Sequence, residues 1–384
     1  MDPMRHQQFG EEHVRLRDAV RRFVESEVAP HAEAWDEQGE FPRALFRRMG
    51  ELGFLGVRVP EQYGGAGLDW WYTVAYVEGL SYSNLGGFNL AMLVQSDIAT
   101  PVIDALGSEE HKRQFLVPAV RGDWIGALGV SEPDAGSDVA ALRTTARRDG
   151  DHYVINGSKL WITNGARADF IVLLVKTDPA AGHAGISMIL FPTTTPGFSV
   201  GRKLRKMGNH ASDTAELHFE ECRVPVANLL AAEGTGFVAL MRNFQGERLV
   251  GALQAVFGAE RIVERTQQYL AQRSAFGRPI GKFQIWRHRV ADWQTELAAA
   301  RELTFHAVDL TNRGLECTRE VSMAKLFAGE TAVRVIDGCL QAHGGYGYSE
   351  EFPIARAYRD MRLVTIGAGT SEIMKEIISR FDGL

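Results

Sequence analysis

The stretch His152-Tyr-Val-Ile-Asn-Gly-Ser-Lys-Leu-Trp-Ile-Thr-Asn-Gly165 interrupts an otherwise helical chain, since it is rich in β-branched and aromatic residues and ends in an Asn-Gly turn signal. Similar short runs occupy residues 170–175, 186–191 and 215–219. They alternate with Gly, Pro, Asn and Asp, which favour turns. We therefore predict a small β-sandwich or barrel in the middle of the chain.

On both sides of this zone the apolar residues recur at helical spacing. The N-terminal stripe consists of Leu16, Ala19, Val20, Phe23, Val24 and Val28. Long helices are predicted near residues 236–272 and 284–313, and shorter ones near 317–341 and 370–382. The chain is therefore predicted to be mainly α with a β middle domain. The predicted domains are an N-terminal all-α domain (1–123), a middle β domain (124–233) and a C-terminal helical bundle (234–384).

The composition of the 384 residues is that of an ordinary globular protein, with 45% hydrophobic and 23% charged residues. A net charge of −6 argues against a nucleic-acid or anionic-membrane binder. Cys222, Cys317 and Cys339 form no CxxC pair, which fits reduced thiols, and we predict no metal site. No apolar run approaches the about 18 residues of a membrane span, and the N-terminus has no signal core. These features predict a cytoplasmic location.

Two segments of the β zone carry candidate ligand-binding groups. The loop Gly129-Val-Ser-Glu-Pro-Asp-Ala-Gly-Ser-Asp138 exposes backbone N–H groups and the hydroxyls of Ser131 and Ser137, which suit a flat heterocycle or a phosphate. It is equally typical of a turn that caps its own backbone. Strand alternation places Trp161 and Thr163 on one face, where they could meet a planar ligand or simply pack on the helical zone.

Three further segments lie in the C-terminal zone. Arg273, in Arg273-Ser-Ala-Phe-Gly-Arg-Pro279, either complements a helix C-terminus or binds a phosphate. Gln341-Ala-His-Gly-Gly345 and Gly367-Ala-Gly-Thr-Ser-Glu372 have glycines that permit close backbone approach to a ligand, and the second leads into a helix whose N-terminus favours anions. Both segments are also typical of residues that begin or end a helix.

Taken together and in order, these segments resemble the acyl-CoA dehydrogenase family over nearly the whole chain. The matching motifs are Val130-Ser-Glu-Pro-Asp-Ala-Gly-Ser-Asp138, Asn156 to Gly165, Arg273-x-x-Phe-Gly277, Gln341-x-x-Gly-Gly345 and Gly369-Thr-Ser-Glu-Ile373. The resemblance implies an N-terminal helical domain, a middle β domain and a C-terminal four-helix bundle. It also implies one FAD per subunit, bound at a subunit interface of a homotetramer built as a dimer of dimers.

The resemblance further implies roles for single residues. Leu128, Val130 and Ser131 would hold the flavin ring, Trp161 would pack on it, and the hydroxyl of Thr163 would meet the hydride-accepting nitrogen. Residues expected to reach the FAD of a neighbouring subunit are Arg273, Phe276, Gln284, Gln341, Gly344 and Gly345. Thr370 and Glu372 are expected at the nucleotide half of FAD. The residues expected at the acyl-CoA are Ser137, Phe244, Arg248, Ala368 and Gly369.

The family removes the α-proton of an acyl thioester with a carboxylate while the β-hydride passes to FAD. In many members that glutamate precedes the Gly-Thr of the last motif, where this chain has Ala368. The isovaleryl-CoA and long-chain branches carry it instead in a Glu-Arg-Leu sequence, which Glu247-Arg-Leu249 matches. On a helix Glu247 shares an apolar stripe with Leu240, Phe244 and Gly251, and burial there would raise its pKa. The alternative is a surface carboxylate or a structural pair with Arg248.

The resemblance thus implies oxidation of an acyl-CoA to the trans-2-enoyl-CoA with Glu247 as base. Electrons would pass to electron-transferring flavoprotein. The small residues of 367–369 and the sequence around them favour a branched or medium-to-long acyl chain, and an acyl-carrier-protein thioester stays open. Two alternatives also stay open: an oxygen-using flavoenzyme on the same scaffold (an acyl-CoA oxidase or flavin monooxygenase), and a catalytically silent acyl-CoA-binding relative.

Overall fold

The computed structural model describes residues 8–383, so residues 1–7 and 384 of the predicted terminal domains lie outside the described residues. Helices occupy both ends of the chain and one β domain lies between them. The predicted fold class is therefore confirmed. The exact domain boundaries stay a prediction.

The N-terminal part is built from helices that bury one apolar face each. In the first helix Val20, Phe23 and Val24 are buried, as the stripe predicts. Residues 94–99 and 112–116 are π-helical and join neighbouring α-helices. The helices are α1 (Glu11–Glu27), α2 (Ala32–Gln38), α3 (Ala44–Glu51), α4 (Trp70–Leu80), α5 (Gly86–Leu93), α6 (Pro101–Leu106), α7 (Glu109–His111) and α8 (Val117–Val120).

The middle part is an eight-stranded sheet. Its strands are β1 (Gly126–Gly129), β2 (Thr145–Asp149), β3 (His152–Thr163), β4 (Phe170–Lys176), β5 (Ile186–Pro192), β6 (Phe198–Lys203), β7 (Thr214–Pro225) and β8 (Leu229–Leu230). Their order is β6-β7-β3-β2-β4-β5-β8, and β1 pairs with β4. Pairing is antiparallel except where β1 and β2 run parallel to β4.

The sequence of strand β4 is an unbroken apolar run because both faces of the strand are covered by other parts of the protein. Phe170 and Leu174 pack in a cluster with Phe115 of the N-terminal part. Ile171 and Leu173 pack instead with residues of β3 and β7, so the sheet folds over its own inner face.

The C-terminal part contains α9 (Gly236–Gln272), α10 (Gln284–Asn312), α11 (Thr318–His343), α12 (Pro353–Met361) and α13 (Ser371–Phe381). A two-stranded hairpin, β9 (Ser274–Ala275) with β10 (Arg278–Pro279), connects α9 to α10. Helices α10 and α11 approach closely because Gly338 leaves room for Trp293: a Cβ at residue 338 would lie 2.7 Å from the indole.

The two helical parts share one apolar core. It runs from Val24 through Trp71 to Phe305 and Val335, and the rings of Trp71 and Phe305 meet edge-on at 5.3 Å. This shared core holds α4 and α5 against α9, the helix that carries Glu247. Within residues 8–383, none of the helices combines the length and apolarity needed to cross a membrane.

Candidate active site

Glu247 lies in the first half of α9, where its carboxylate is withdrawn from water. Its Oε2 is fully shielded and has no hydrogen-bond partner among the described residues. Burial raises the pKa of Glu247 to about 7, against the opposing effect of the cations Arg248 and Lys325. Glu247 as a whole is half-buried, and its Oε2 accepts no hydrogen bond from Arg248 among residues 8–383.

The loop before α13 lies next to α9, the helix that carries Glu247. Ala368 has φ +57° and Gly369 has φ +97°, so two successive residues are left-handed. The Nε of Arg248 donates a hydrogen bond of 3.3 Å to the carbonyl of Ala368, and the Nζ of Lys325 donates one to the carbonyl of Gly369. The fold therefore brings Arg248, the residue after Glu247, to the loop at Ala368, which lies 120 positions further along the chain.

Phe244, Thr370 and Glu372, also predicted at the acyl-CoA or the nucleotide, lie close to this loop, whereas Ser137 is exposed in the loop between β1 and β2. The guanidinium of Arg248 lies 5.6 Å from the ring centroid of Phe244. Thr370 caps α13 by accepting a hydrogen bond of 3.3 Å from the N–H of Ile373. Glu372 is exposed in the first turn of α13, and hydrogen bonds, from its own backbone N–H first, hold its pKa below the usual range.

The small-residue loop between β1 and β2 is attached to β3 by a buried lysine. The Nζ of Lys159 donates hydrogen bonds of 2.8 Å to Glu132 Oε1 and 3.1 Å to the carbonyl of Val130. The N–H of Leu160 donates one of 2.9 Å to the carbonyl of Ser131. Lys159 has no exposed surface. Sequence reasoning missed both Glu132 and Lys159; a charged residue at an inward strand position was the available signal.

Trp161 stands at a β-bulge that strand alternation did not predict. One extra residue lies between the pairs Lys159–Leu217 and Ile162–Ala215, and Trp161 has φ +65°. Its indole is 60% exposed while Ile162 is buried and Thr163 half-buried. Trp161 therefore does not pack on the helical zone. A non-glycine residue with positive φ and an exposed aromatic ring is typical of a strained ligand-binding position.

A separate exposed surface contains the residues predicted to reach a neighbouring subunit. Phe276 at the tip of the β9–β10 hairpin is 96% exposed and has φ +51°. The guanidinium of Arg273 lies 5.5 Å from the ring centroid of Tyr346, which brings the hairpin next to the end of α11. The other exposed residues of this surface are Gln284, Gln341, Gly344 and Gly345.

A cavity of about 110 Å³ lies between α5, α9, α12 and the segment after α12. Leu90 and Leu93 line it from α5, and Gln254 and Gly258 from α9. Gln254 is seven residues beyond Glu247 and thus on the same face of the helix. Between them, a Cβ added to Gly251 would meet no atom within 4 Å, so the space beside this face is open.

The comparison with solved structures identifies the class of protein. The chain matches the crystal structure of an acyl-CoA dehydrogenase from Geobacillus kaustophilus with a TM-score of 0.94 and 45% identity, over 98% of this chain and 100% of that one. This is the fold of an FAD-dependent oxidoreductase, which confirms the predicted cofactor and enzyme class.

Family models place the chain more closely. The N-terminal, middle and C-terminal domains of acyl-CoA dehydrogenase match residues 10–123, 127–222 and 234–381. The chain therefore belongs to the acyl-CoA dehydrogenase family. An acyl-CoA dehydrogenase of Bacillus subtilis is 42% identical over 97% of this chain and 98% of its own length. A long-chain specific acyl-CoA dehydrogenase of Sus scrofa is 40% identical over 97% of this chain and 86% of its own.

Proposed function

We propose that the protein oxidises a branched or medium-to-long acyl-CoA to the trans-2-enoyl-CoA, with Glu247 as the base that takes the α-proton. One observation carries the proposal. The Oε2 of Glu247 is shielded and has no hydrogen-bond partner within residues 8–383, and the adjacent Arg248 contacts the loop at Ala368, where many family members carry their glutamate. Removal from water makes this carboxylate a stronger base than an exposed glutamate.

The backbone N–H of Ala368 is the second functional group of this proposal. It would donate to the thioester carbonyl oxygen and so stabilise the negative charge that grows as the α-proton leaves. No side chain at residue 368 is needed for this role. FAD supplies the acceptor for the β-hydride.

The residues around the β3 bulge fit a flavin. An indole left 60% exposed at a strained position provides a flat apolar surface for a planar ring, and Thr163 follows it on the strand. We assign Leu128, Val130 and Ser131 to the ring edge, and Ser137 to the pantetheine arm. Thr370 and Glu372 are assigned to the nucleotide half of FAD.

The exposed surface at Phe276 and Tyr348 supports assembly. Their side chains are 96% and 91% exposed, an unusual state for aromatic residues of a free subunit. In the proposed homotetramer, this surface reaches the FAD of a neighbouring subunit. Electron-transferring flavoprotein is the proposed electron acceptor.

The open face of α9 supports an extended acyl chain. Gln254 and Gly258 lie about 10 Å and 16 Å beyond Glu247 along the helix axis, and the intervening Gly251 faces open space. A short acyl chain starting at Glu247 would leave the cavity at Gln254 unfilled. The similarity to a long-chain specific relative agrees with this assignment.

The test is an anaerobic titration of the FAD-loaded protein with acyl-CoAs of graded length and branching, followed at the flavin absorbance near about 450 nm. Bleaching by branched or medium-to-long chains is the expected result. Bleaching by short straight chains alone would contradict the substrate assignment. Thioester binding without any bleaching would instead support the catalytically silent alternative.

A further inference from the structure

Lys325 on α11 is a buried cation. Its neighbours one helical turn away are the buried Val321 and Ala328, and only 4% of its surface is exposed. Within residues 8–383 it forms no ion pair of 4 Å or less. Burying an ammonium group is unfavourable unless strong hydrogen bonds compensate, so its partner is informative.

That partner is the carbonyl oxygen of Gly369. Arg248 donates to the preceding carbonyl, that of Ala368. Two cations from two different helices, α9 and α11, therefore hold two successive peptide groups. Met374 closes the loop from a third direction, because a Cβ at residue 369 would lie 2.7 Å from its Cε.

The held conformation is one that Ala368 does not favour by itself. A non-glycine residue is less stable in the left-handed region than in the right-handed region. Without donors on the two carbonyls, the peptide groups are free to rotate toward the commoner conformation. The direction of the Ala368 N–H would then change.

We propose that Lys325 is a positioning residue for the dehydrogenation. Through Gly369 it holds the loop so that the Ala368 N–H points at the thioester carbonyl before substrate arrives. This inference rests on the proposed roles of Glu247 and Ala368. Preorganised donors stabilise a developing negative charge without having to reorient during the reaction.

The charge of Lys325 has a second effect on the same site. The charged groups facing Glu247 are Arg248 on its own helix and Lys325 on α11. Those facing Lys325 are Arg248, Glu247 and, on α13, Glu372. Burial lowers the pKa of Lys325 to about 8, so the side chain is mostly cationic at pH 7. Its removal deprives the Glu247 carboxylate of one of two cations that oppose the effect of burial.

The experiment compares Lys325→Met, Lys325→Arg and the unchanged protein by anaerobic stopped-flow reduction of the bound flavin between pH 5.5 and 9. Lys325→Met should slow flavin reduction by about 10- to 100-fold, with less effect on acyl-CoA affinity. It should also move the acid limb, the pH range in which the rate falls as Glu247 becomes protonated, to higher pH. Lys325→Arg keeps charge and donors and should recover part of the rate. Lys375→Met, which removes a 59% exposed lysine paired with Glu330, is the matched control and should be neutral.

Several results would overturn the inference. One is that Lys325→Met reduces the flavin at the original rate and its acid limb does not move. Another is that Lys325→Met is slow, its acid limb stays in place, and Lys325→Arg is equally slow. If Lys325→Met fails to fold, Lys325→Arg is the remaining test: it should reduce the flavin more slowly than the unchanged protein while its acid limb stays in place, and reduction at the original rate would overturn the inference. Glu247→Gln measured in parallel separates the proposals. Normal reduction by Glu247→Gln defeats the proposed base, whereas a slow Glu247→Gln beside a normal Lys325→Met defeats only the role of Lys325.

Discussion

The Nε of Arg248 lies 3.3 Å from the carbonyl oxygen of Ala368, and this hydrogen bond joins α9 to the loop before α13. One partner follows the proposed base directly, and the other occupies the position where many family members carry theirs. The two elements therefore border the same small volume. Under the proposed function, a carboxylate from either element would face the α-carbon there, so alanine at residue 368 agrees with Glu247 as the proposed base.

Replacing the shielded carboxylate of Glu247 by an amide should abolish most of the activity and leave the cofactor in place. We expect Glu247→Gln to bind FAD normally and to slow flavin reduction by about 10²–10⁴-fold, the usual contribution of a general base. Rapid-mixing reduction under anaerobic conditions measures this. The control is Glu264→Gln, an exposed glutamate of the same helix. Reduction at the unchanged rate would place the base elsewhere.

The pH dependence of kcat/KM should report the burial of Glu247. Its pKa is raised to about 7, and only the ionised form accepts a proton. Activity should therefore fall about tenfold per pH unit below pH 7 and level off above it, because kcat/KM follows the free enzyme. Steady-state rates with an artificial acceptor across pH 5 to 8.5 test this. An acid limb at pH 4 to 5 would indicate a solvated carboxylate.

The length of the accepted acyl chain should depend on Gly251. A leucine there extends into space that is open in the structure, so we expect Gly251→Leu to fold normally. It should lower kcat/KM for long acyl-CoAs by roughly tenfold or more while sparing short ones, because the side chain occupies the path toward Gln254. Gly251→Ala is the graded control with a smaller effect. An unchanged preference would mean that the chain takes another path.

The buried pair of Lys159 and Glu132 should matter more for stability than an exposed pair in the same loop. Lys159→Met leaves the Glu132 carboxylate buried without its cation, and losing one partner of such a pair destabilises by about 3–5 kcal/mol. We expect a lower unfolding midpoint and weaker FAD retention. Asp134→Asn removes the exposed partner of Arg143, 3.2 Å away, and should change stability by less than about 0.5 kcal/mol. Denaturant unfolding measures the change in the free energy of unfolding for both variants. Equal losses of stability in the two variants would contradict the prediction.

Periodicity predicted the long helices well because their pattern extends over many turns. The prediction of 236–272 agrees with α9, and 284–313 ends one residue beyond α10. Strands β2 and β6 were missed because they are short and mostly exposed, with residues such as Arg147 and Arg202 in place of an apolar alternation. Helix α12 was missed as well, since only nine residues carry its pattern.

Some features of the candidate site could likewise be predicted from the sequence, and others could not. Its motifs were visible in the chain because a turn, a bulge or a helix N-terminus needs particular residues next to one another, as at Thr370. Long-range pairs were not visible. Lys159 stands at an inward strand position, and its burial is tolerated because Glu132, 27 residues earlier, is brought to it.

The sequence alone determined the succession of a helical, a β and a helical part. It also supplied the candidate ligand-binding motifs and the prediction that the base is Glu247, because each depends on neighbours along the chain. Tertiary structure decided which charges are shielded and what they contact. Glu247 loses its water only when α9 packs into the bundle, and Arg248 and Lys325 reach the loop at Ala368 only from two separate helices. Desolvation and hydrogen bonding between distant segments arise from packing, and packing is a property of the whole fold.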